Sequence, residues 1–282
     1  MSRARGLPFA KFSGAGNDFV VLDARGCRLP ARLGSWVRAV CQRRVSVGAD
    51  GVAVVEGVRR GALRVRFYNP DGRRHDFCGN ASRCVARWEA IRRGRNGQVC
   101  LSTDAGEVHA RVRGAQVDLD LAFAVGRPRE RHLQIDKQRL RGFEVLAGVP
   151  HFVILRGVPE FQPLPPLAGR LRWHRAFPDG VNVNFVGRPH AGVRPLRTFE
   201  RGVEAETLAC GTGCVAAAAV LAHLNPRLTS PVRFRVRSGA RIAIHFRRRD
   251  GRLEAVTLSG EARLIYRGEL MPEALALSRG GV

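Results

Sequence analysis

Apolar and polar positions alternate in several stretches of the chain. Leu63, Val65 and Phe67 alternate with Arg64, Arg66 and Tyr68. Val108, Ala110 and Val112, then Val117, Leu119 and Leu121, flank Gly114, and Val232, Phe234 and Val236, then Ile242, Ile244 and Phe246, flank Ser238-Gly239. A period of two on either side of a turn residue predicts half-buried antiparallel hairpins. Two other stretches follow a helical period. Val85, Trp88 and Ile91 recur three residues apart, and Cys214-Val215-Ala216-Ala217-Ala218-Ala219-Val220-Leu221-Ala222 is so rich in alanine, the strongest helix former, that it predicts a buried helix. Each helix is expected just beyond a Cys-Gly pair, Cys78-Gly79 or Cys210-Gly211.

These elements occur twice in the same order. Gly14-Ala15-Gly16-Asn17-Asp18-Phe19-Val20-Val21-Leu22 recurs as Ala147-Gly148-Val149-Pro150-His151-Phe152-Val153-Ile154-Leu155, an offset of 133 between Phe19 and Phe152. Cys78 and Cys210 are 132 apart, and a turn glycine follows each at a matching distance, Gly106 and Gly239. Four landmarks at one offset imply duplication. The expected fold class is α+β, with two homologous, pseudo-twofold-related domains, each an antiparallel β-rich sheet or barrel wrapped around a central helix. The expected boundaries are 7–128 for a domain carrying Cys78 and 143–265 for one carrying Cys210. The boundary region spans 125 to 142, and a tail, 266–282, returns to the first domain.

Composition narrows the class. With 45% hydrophobic and 26% charged residues the chain is globular in type, and no apolar run approaches the ~20 residues of a membrane helix. The opening residues show neither a signal-peptide core nor a transit segment, so a cytoplasmic protein is expected. The formal net charge is +24, and only Lys11 and Lys137 among the 48 basic residues are lysines. The arginines are scattered on alternate strand positions and helix flanks, and aromatics make up a sparse 7%. Such a distribution offers no stacking platform and argues against specific nucleic-acid binding. Seven cysteines without CxxC pairs fit a reducing compartment rather than a structural zinc site.

The paired Cys-Gly turns carry the candidate chemistry. A cysteine at a helix N-terminus feels the positive end of the helix dipole, which favours its thiolate. The N–H groups of Gly79-Asn80 and Gly211-Thr212 form anion sites, and each glycine lets a ligand approach the backbone. In a pseudo-twofold arrangement the two turns are expected to face each other across a cleft. A ligand carboxylate then lies between two helix ends with one sulfur on each side of its α-carbon, the geometry of a two-base racemase. Each sulfur must come within ~3 to 3.5 Å of the carbon, so the pair is on the order of 6 to 7 Å apart. Cys27, Cys41, Cys84, Cys100 and Cys214 are read as small buried hydrophobes.

Longer motifs surround these turns: Phe12-Ser13-Gly14-Ala15-Gly16-Asn17-Asp18-Phe19, Phe67-Tyr68-Asn69-Pro70-Asp71-Gly72, Cys78-Gly79-Asn80-Ala81-Ser82-Arg83-Cys84, Gly148-Val149-Pro150-His151, Val181-Asn182, and Glu200-Arg201-Gly202 leading into Glu206-Thr207-Leu208-Ala209-Cys210-Gly211-Thr212-Gly213. In these blocks, and over nearly its whole length to Gly260-Glu261-Ala262, the chain resembles the diaminopimelate epimerase family, cofactor-independent enzymes that interconvert LL- and meso-diaminopimelate. The resemblance implies Cys78 and Cys210 as the acid/base pair, with Cys78 the base toward the LL isomer and Cys210 toward the meso isomer. It implies that His151 and Glu200 adjust their ionisation, with Glu200 also at the substrate's ammonium end. Gly79, Asn80, Gly211 and Thr212 would hold the reacting carboxylate and Asn17 would contact substrate beside it. Asn69, Asn182 and Arg201 would read the distal amino-acid end, where a carboxylate suits an arginine fork. A homodimer is expected from the family alone.

The chain departs from the family pattern at four places. Val149 stands where many members have asparagine, and Gly51 where some have glutamine. Ala81 replaces a glycine, which is expected to put a Cβ where the helix opens against the ligand. Arg73-Arg74 follows Asn-x-Asp-Gly in place of a serine and adds charge near the first cysteine. No lysine sits in a Schiff-base context and the histidines do not cluster, so neither pyridoxal phosphate nor a metal is expected. Two alternatives stay open: a racemase of another amino acid on the same fold, and a catalytically weak basic binding protein.

Overall fold

A computed structural model describes residues 6–27, 29–136, 138–158 and 162–274. The chain divides into two compact units. One takes the chain up to Leu119 and again from Glu261 onward, and the other is Asp120–Gly260. The division therefore leaves the strands Arg129–Ile135 and Gln138–Ala147, which cross the expected boundary region at 125 to 142, in the second unit as an antiparallel pair.

In the first unit eight strands follow one another in the order Arg263–Leu270, Leu7–Gly14, Asn17–Asp23, Gly51–Arg59, Ala62–Tyr68, Gly97–Thr103, Gly106–Arg113 and Gln116–Asp120. Neighbours are antiparallel except for Asn17–Asp23 with Gly51–Arg59 and Ala62–Tyr68 with Gly97–Thr103, which run parallel. The second unit repeats this pattern with Arg129–Ile135, Gln138–Ala147, Val149–Ile154, Asn182–Val186, Val193–Glu200, Val232–Arg235, Arg241–Arg249 and Arg252–Glu261. The two parallel pairs fall at the same two places. The repeat seen in the sequence is thus a repeat of topology. The position held in the second unit by Arg129–Ile135 is held in the first by the strand Arg263–Leu270, whose residues Tyr266 to Leu270 pair with Lys11 to Leu7. Residues 275–282 of the expected tail lie outside the described residues.

Helix α1 (Leu33–Cys41) buries Trp36, Val37 and Val40 against Val20, Leu22, Val52 and Val54. Helix α2 (Gly79–Arg92) is the core helix of the first unit and packs against strands on several sides, including Leu7–Gly14, Asn17–Asp23, Gly97–Thr103 and Gly106–Arg113. In the second unit α3 (Leu167–Arg172) packs Ala168 and Leu171 against Phe152, Val183 and Phe185. The core helix there is α4 (Gly211–Leu224), buried without a break from Gly213 to Ala222, as the alanine run requires. α2 is enclosed although it carries charge, because buried Glu89 receives Arg92 at 2.7 Å and Arg93 at 2.6 Å. The expected hairpins form over Gly114 and Ser238-Gly239. Three details differ: Leu121 lies beyond the strand end at Asp120, Val236 lies beyond the strand end at Arg235, and a bulge between His245 and Arg247 leaves Phe246 only half-buried. Among the described residues no helix is long and apolar enough to cross a membrane.

Candidate active site

Cys78 and Cys210 occupy the same structural position. Each is the extended residue immediately before a core helix, with φ −140°, ψ 112° at Cys78 and φ −116°, ψ 106° at Cys210, and Gly79 or Gly211 is the first helical residue. The first main-chain bonds of the helices run from Ser82 to the Cys78 carbonyl at 2.8 Å and from Cys214 to the Cys210 carbonyl at 3.1 Å. The N–H groups of the first helical turn lie before these bonds, and that of Gly213 is directed to the Cys210 sulfur. Such an end suits a carboxylate, through both hydrogen bonding and the dipole. A Cβ at Gly79 would meet only Phe77, at 3.8 Å. Packing does not demand glycine there, and its bare α-carbon leaves the helix end open.

In the first unit, Asn17 and Asn80 beside this turn are held by a hydrogen-bond chain. The two-residue turn Ala15-Gly16, with positive φ at both positions, returns the chain so that Asn17 pairs with Gly14. Arg83 Nη2 donates to Asn80 Oδ1 at 2.8 Å, Asn80 Nδ2 to Asn17 Oδ1 at 3.3 Å, and Asn17 Nδ2 to Asp50 Oδ2 at 3.2 Å, while Arg43 Nη2 reaches Asp50 Oδ1 at 2.8 Å. A guanidinium only donates and a carboxylate only accepts, so both amides between them have one possible orientation. Burial alone would raise the neighbouring Asp18 carboxyl, but hydrogen bonds from Arg43 and Lys11 hold it below its ordinary value. Gly14 permits the close packing, since a Cβ there would lie 2.7 Å from the Asn80 carbonyl oxygen.

In the second unit, buried Cys210 has Thr212 Oγ1 3.5 Å from its sulfur and a hydrogen bond to Glu200. The sequence argument from the helix dipole favours a thiolate, but burial pushes the Cys210 thiol well up, reinforced by the Glu200 charge and opposed by Thr212 and the Gly213 N–H. Glu200, at the end of the strand Val193–Glu200, accepts the Thr207 hydroxyl at 2.6 Å. Burial raises its carboxyl, against the bonds from Thr207 and Cys210. His151 is buried and pairs in register with Asn182. Burial pushes the imidazole down to about 3, partly countered by its hydrogen bond to Asn184 and aided by the Arg201 charge. Asn182 Oδ1 accepts the Arg201 N–H at 2.7 Å, and Arg201 Nη1 donates to the Asp179 carbonyl at 3.0 Å. Asn182 therefore fixes the Arg201 turn.

The remaining residues fall as follows. Asn69 is exposed, and its main chain closes a turn by donating to the Arg73 carbonyl and accepting from the Gly72 N–H, both at 2.9 Å. Ala81 is buried. Gly51 cannot carry a side chain without movement, because a Cβ would stand 2.7 Å from the Tyr68 carbonyl. The Arg73 side chain is 86% exposed, which solvates the extra charge, and Arg74 is tied to Asp104. Val149 is half-buried beside the Gly148 turn. Cys41, Cys84 and Cys214 are buried, whereas Cys27 and Cys100 are half-buried. Among the described residues one mixed group, Cys100, Glu107 and His109, brings its possible metal-ligand atoms within 4.8 Å of one another on the outer face of a hairpin.

Sequence reasoning missed Asp50, Thr198, Asn184 and Thr207, which orient the site residues. Asn184 was marked by its place two residues after Asn182 on one strand face.

The fold matches that of the PhzF-family phenazine biosynthesis protein of Bacillus anthracis, with a TM-score of 0.71, 13% identity, and coverage of 95% of this chain and 99% of that one. It also matches a hydroxyproline epimerase of Agrobacterium vitis, solved with bound trans-4-OH-L-proline, with a TM-score of 0.67, 17% identity, and coverage of 97% and 94%. Together with the duplicated topology, these likenesses define the class: a two-domain α+β fold shared by PhzF-type and proline-racemase-type proteins. Within that class the family model described as diaminopimelate epimerase matches residues 9–129 and 143–265, one segment in each half of the chain. The diaminopimelate epimerase of Aquifex aeolicus (strain VF5) is 36% identical, covering 95% of this chain and 99% of its own length. That of Methanothrix thermoacetophila is 39% identical, covering 78% and 82%. The chain belongs to the diaminopimelate epimerase family, a family of isomerases.

Proposed function

We propose that the protein interconverts LL- and meso-2,6-diaminopimelate, with Cys78 and Cys210 as the proton-transfer pair and no cofactor. One observation carries this reading in a member of this family: a sulfur stands at the same place before a glycine-led helix in both halves of the chain. In one direction the Cys78 thiolate takes the α-proton, and the C–H electron pair stays on the substrate as a carbanion delocalised into the α-carboxylate. The Cys210 S–H then delivers a proton to the opposite face and becomes the thiolate. The upward-shifted Cys210 thiol suits this donor role. For the reverse direction Cys210 must lose its proton, and Glu200, hydrogen-bonded to it and raised by burial, is the acceptor at hand. The two thiols titrate as a pair, so the pH profile reports macroscopic values.

The weakly acidic α-proton makes charge stabilisation the main requirement. In this reading Gly79, Asn80, Gly211 and Thr212 supply N–H donors to the reacting carboxylate, and Asn17 contacts the substrate beside them. Asn69, Asn182 and Arg201 read the distal end, His151 acts on ionisation in the site, and Glu200 also serves the ammonium end. The reaction would serve lysine and peptidoglycan-precursor biosynthesis, in a cytoplasmic homodimer. The test is proton NMR of LL-diaminopimelate with reduced protein in D₂O. Loss of the α-proton signal with appearance of the meso isomer is expected, and both should vanish in Cys78→Ala and in Cys210→Ala. Folded protein with free thiols that exchanges no α-proton overturns the reading.

A further inference from the structure

We propose that the outer face of the hairpin Gly97–Thr103 and Gly106–Arg113 holds a divalent transition metal, with Zn²⁺ the fitting ion, through Cys100 Sγ, a Glu107 carboxylate oxygen and a His109 ring nitrogen. The site lies outside the residues of the proposed reaction and does not depend on it. Cys100 and His109 are register partners on the two antiparallel strands, and Glu107, opposite Ser102, is two residues before His109. Strand alternation puts all three side chains on one face, while their neighbours Val99, Leu101, Val108 and Ala110 fill the buried one. Cys100, read from the sequence as a small buried hydrophobe, is instead half-buried on the outward face, with exposed Glu107 and His109 beside it.

The geometry suits a small ion. One ligand atom from each residue lies within 4.8 Å of the other two. Zn²⁺ bonds of about 2.0 to 2.3 Å in a tetrahedral arrangement separate the ligand atoms by about 3.3 to 3.8 Å. The difference is at most about 1.5 Å, which rotation about the side-chain bonds of exposed Glu107 and His109 supplies. The backbone beneath them is fixed. Thr103 Oγ1 donates to the Gly106 carbonyl at 2.7 Å across the turn, Arg64 Nη2 holds Asp104 Oδ1 at 2.8 Å, and the Ala105 N–H donates to the Asp76 carbonyl at 3.3 Å. Each strand also has a second neighbour, Ala62–Tyr68 on one side and Gln116–Asp120 on the other, so the donors stand within a sheet and not on a free edge.

The donor set selects the ion. Mg²⁺ and Ca²⁺ take oxygen ligands, whereas a thiolate with an imidazole and a carboxylate is a set that Zn²⁺ takes. In a chain this rich in arginine, the Glu107 carboxylate has no ion-pair partner among the described residues, which leaves its oxygens available to a metal. A thiolate and a carboxylate cancel the charge of the dication and His109 binds neutral, so the occupied site is neutral and puts no bare dication on a chain of formal net charge +24. On binding, the Cys100 thiol gives its proton to solvent and a sulfur–metal bond takes its place. Three protein ligands leave the fourth tetrahedral position to water.

The test is titration of the reduced, metal-free full chain with Co²⁺ followed by absorption, and with Zn²⁺ followed by calorimetry. A sulfur-to-cobalt charge-transfer band is expected, with the visible bands of a four-coordinate ion, and Zn²⁺ should displace both. Cys100→Ser should remove one equivalent of bound metal together with its charge-transfer intensity. His109→Ala and Glu107→Gln should each weaken Zn²⁺ binding by at least on the order of 10-fold, the cost of losing even an outer-shell partner. Zn²⁺ should raise the thermal midpoint of the unsubstituted protein and leave that of Cys100→Ser where it was. The three substitutions fall on an outward face, and circular dichroism checks that each variant is folded. A missing charge-transfer band, a band undiminished by Cys100→Ser, or Zn²⁺ binding indifferent to His109→Ala overturns the inference. A band lost in Cys78→Ala or Cys210→Ala but kept in Cys100→Ser does so too, by placing the metal on the other thiols. No readout uses turnover, so failure here is distinguishable from failure of the proposed reaction.

Discussion

Thr207→Val isolates the charge on Glu200. The Thr207 hydroxyl donates to Glu200 Oε1 at 2.6 Å, within the short range of a charge-assisted O–H···O⁻ bond. Valine replaces the hydroxyl with a methyl of similar size, so packing changes little while the carboxylate loses one of its two side-chain donors, the other being Cys210. A hydrogen bond to a charged group is worth about 1.5 to 3 kcal/mol, equivalent to about one to two pH units on the Glu200 carboxyl. Burial already raises that carboxyl. A folded-state value above the unfolded one favours the native state most where the group is protonated, and that contribution is lost as pH rises through the folded value. The variant raises the folded value further. Its destabilisation should therefore be small near pH 5 and approach the full magnitude near pH 8, when chemical denaturation is run at both. In the proposed reaction, the acidic limb of the kcat profile in the direction where Cys210 abstracts the proton should move up by the same one to two units. Equal destabilisation at both pH values together with an unmoved limb would refute the reasoning.

Three further outcomes are expected. Asp50→Ala removes the acceptor that holds the Asn17 amide and should lower kcat/KM by on the order of 10- to 100-fold with the fold intact by circular dichroism; unchanged steady-state kinetics would exclude an orienting role. His151 is held neutral down to about 3, while an unfolded histidine titrates near 6.5, so its contribution to stability is complete above pH 6.5 and is lost as pH falls toward 3; His151→Gln should flatten that acid limb in thermal melts. Gly51→Gln sets a Cβ 2.7 Å from the Tyr68 carbonyl oxygen and should cost on the order of 1 to 3 kcal/mol in urea unfolding. A neutral result would show that the paired strands shift at no cost.

The elements readable in the sequence were those fixed by local period. The hairpins over Gly114 and Ser238-Gly239 and the alanine-rich helix announce themselves because their side chains meet the same environment at every second or every third to fourth residue. The repeat was legible for the same reason, since Cys78 and Cys210 each precede a helix of like length. What stayed hidden depends on contacts distant in sequence. The bond from Asn17 to Asp50 spans 33 positions, so no local pattern reports it. The sign of the Cys210 shift was also out of reach, because the helix dipole is a local feature whereas burial and the Glu200 charge come from the folded surroundings.

The two halves match at the cysteine turns and differ one layer away, and the proposed reaction gives that difference a reason. At the position one residue before Phe19, Asp18 faces Asp50 across parallel strands, its N–H donating to the Asp50 carboxylate at 3.2 Å, with Lys11 and Arg43 supplying the balancing charge. At the matching position before Phe152 the pair is His151 and Asn182, both uncharged, with Asn184 and Arg201 around them. An epimerase acting on one of two stereocentres must treat the two faces of the reacting carbon alike, so its proton-transfer groups and helix ends gain from being copies. The distal centre keeps one configuration throughout, and a symmetric reader would bind the meso isomer equally well with its ends exchanged, in the unreactive sense. Divergence around the cysteine turns is what such chemistry requires of a duplicated fold: carboxylates anchoring amides in one half, and the uncharged pair His151 and Asn182 in the other.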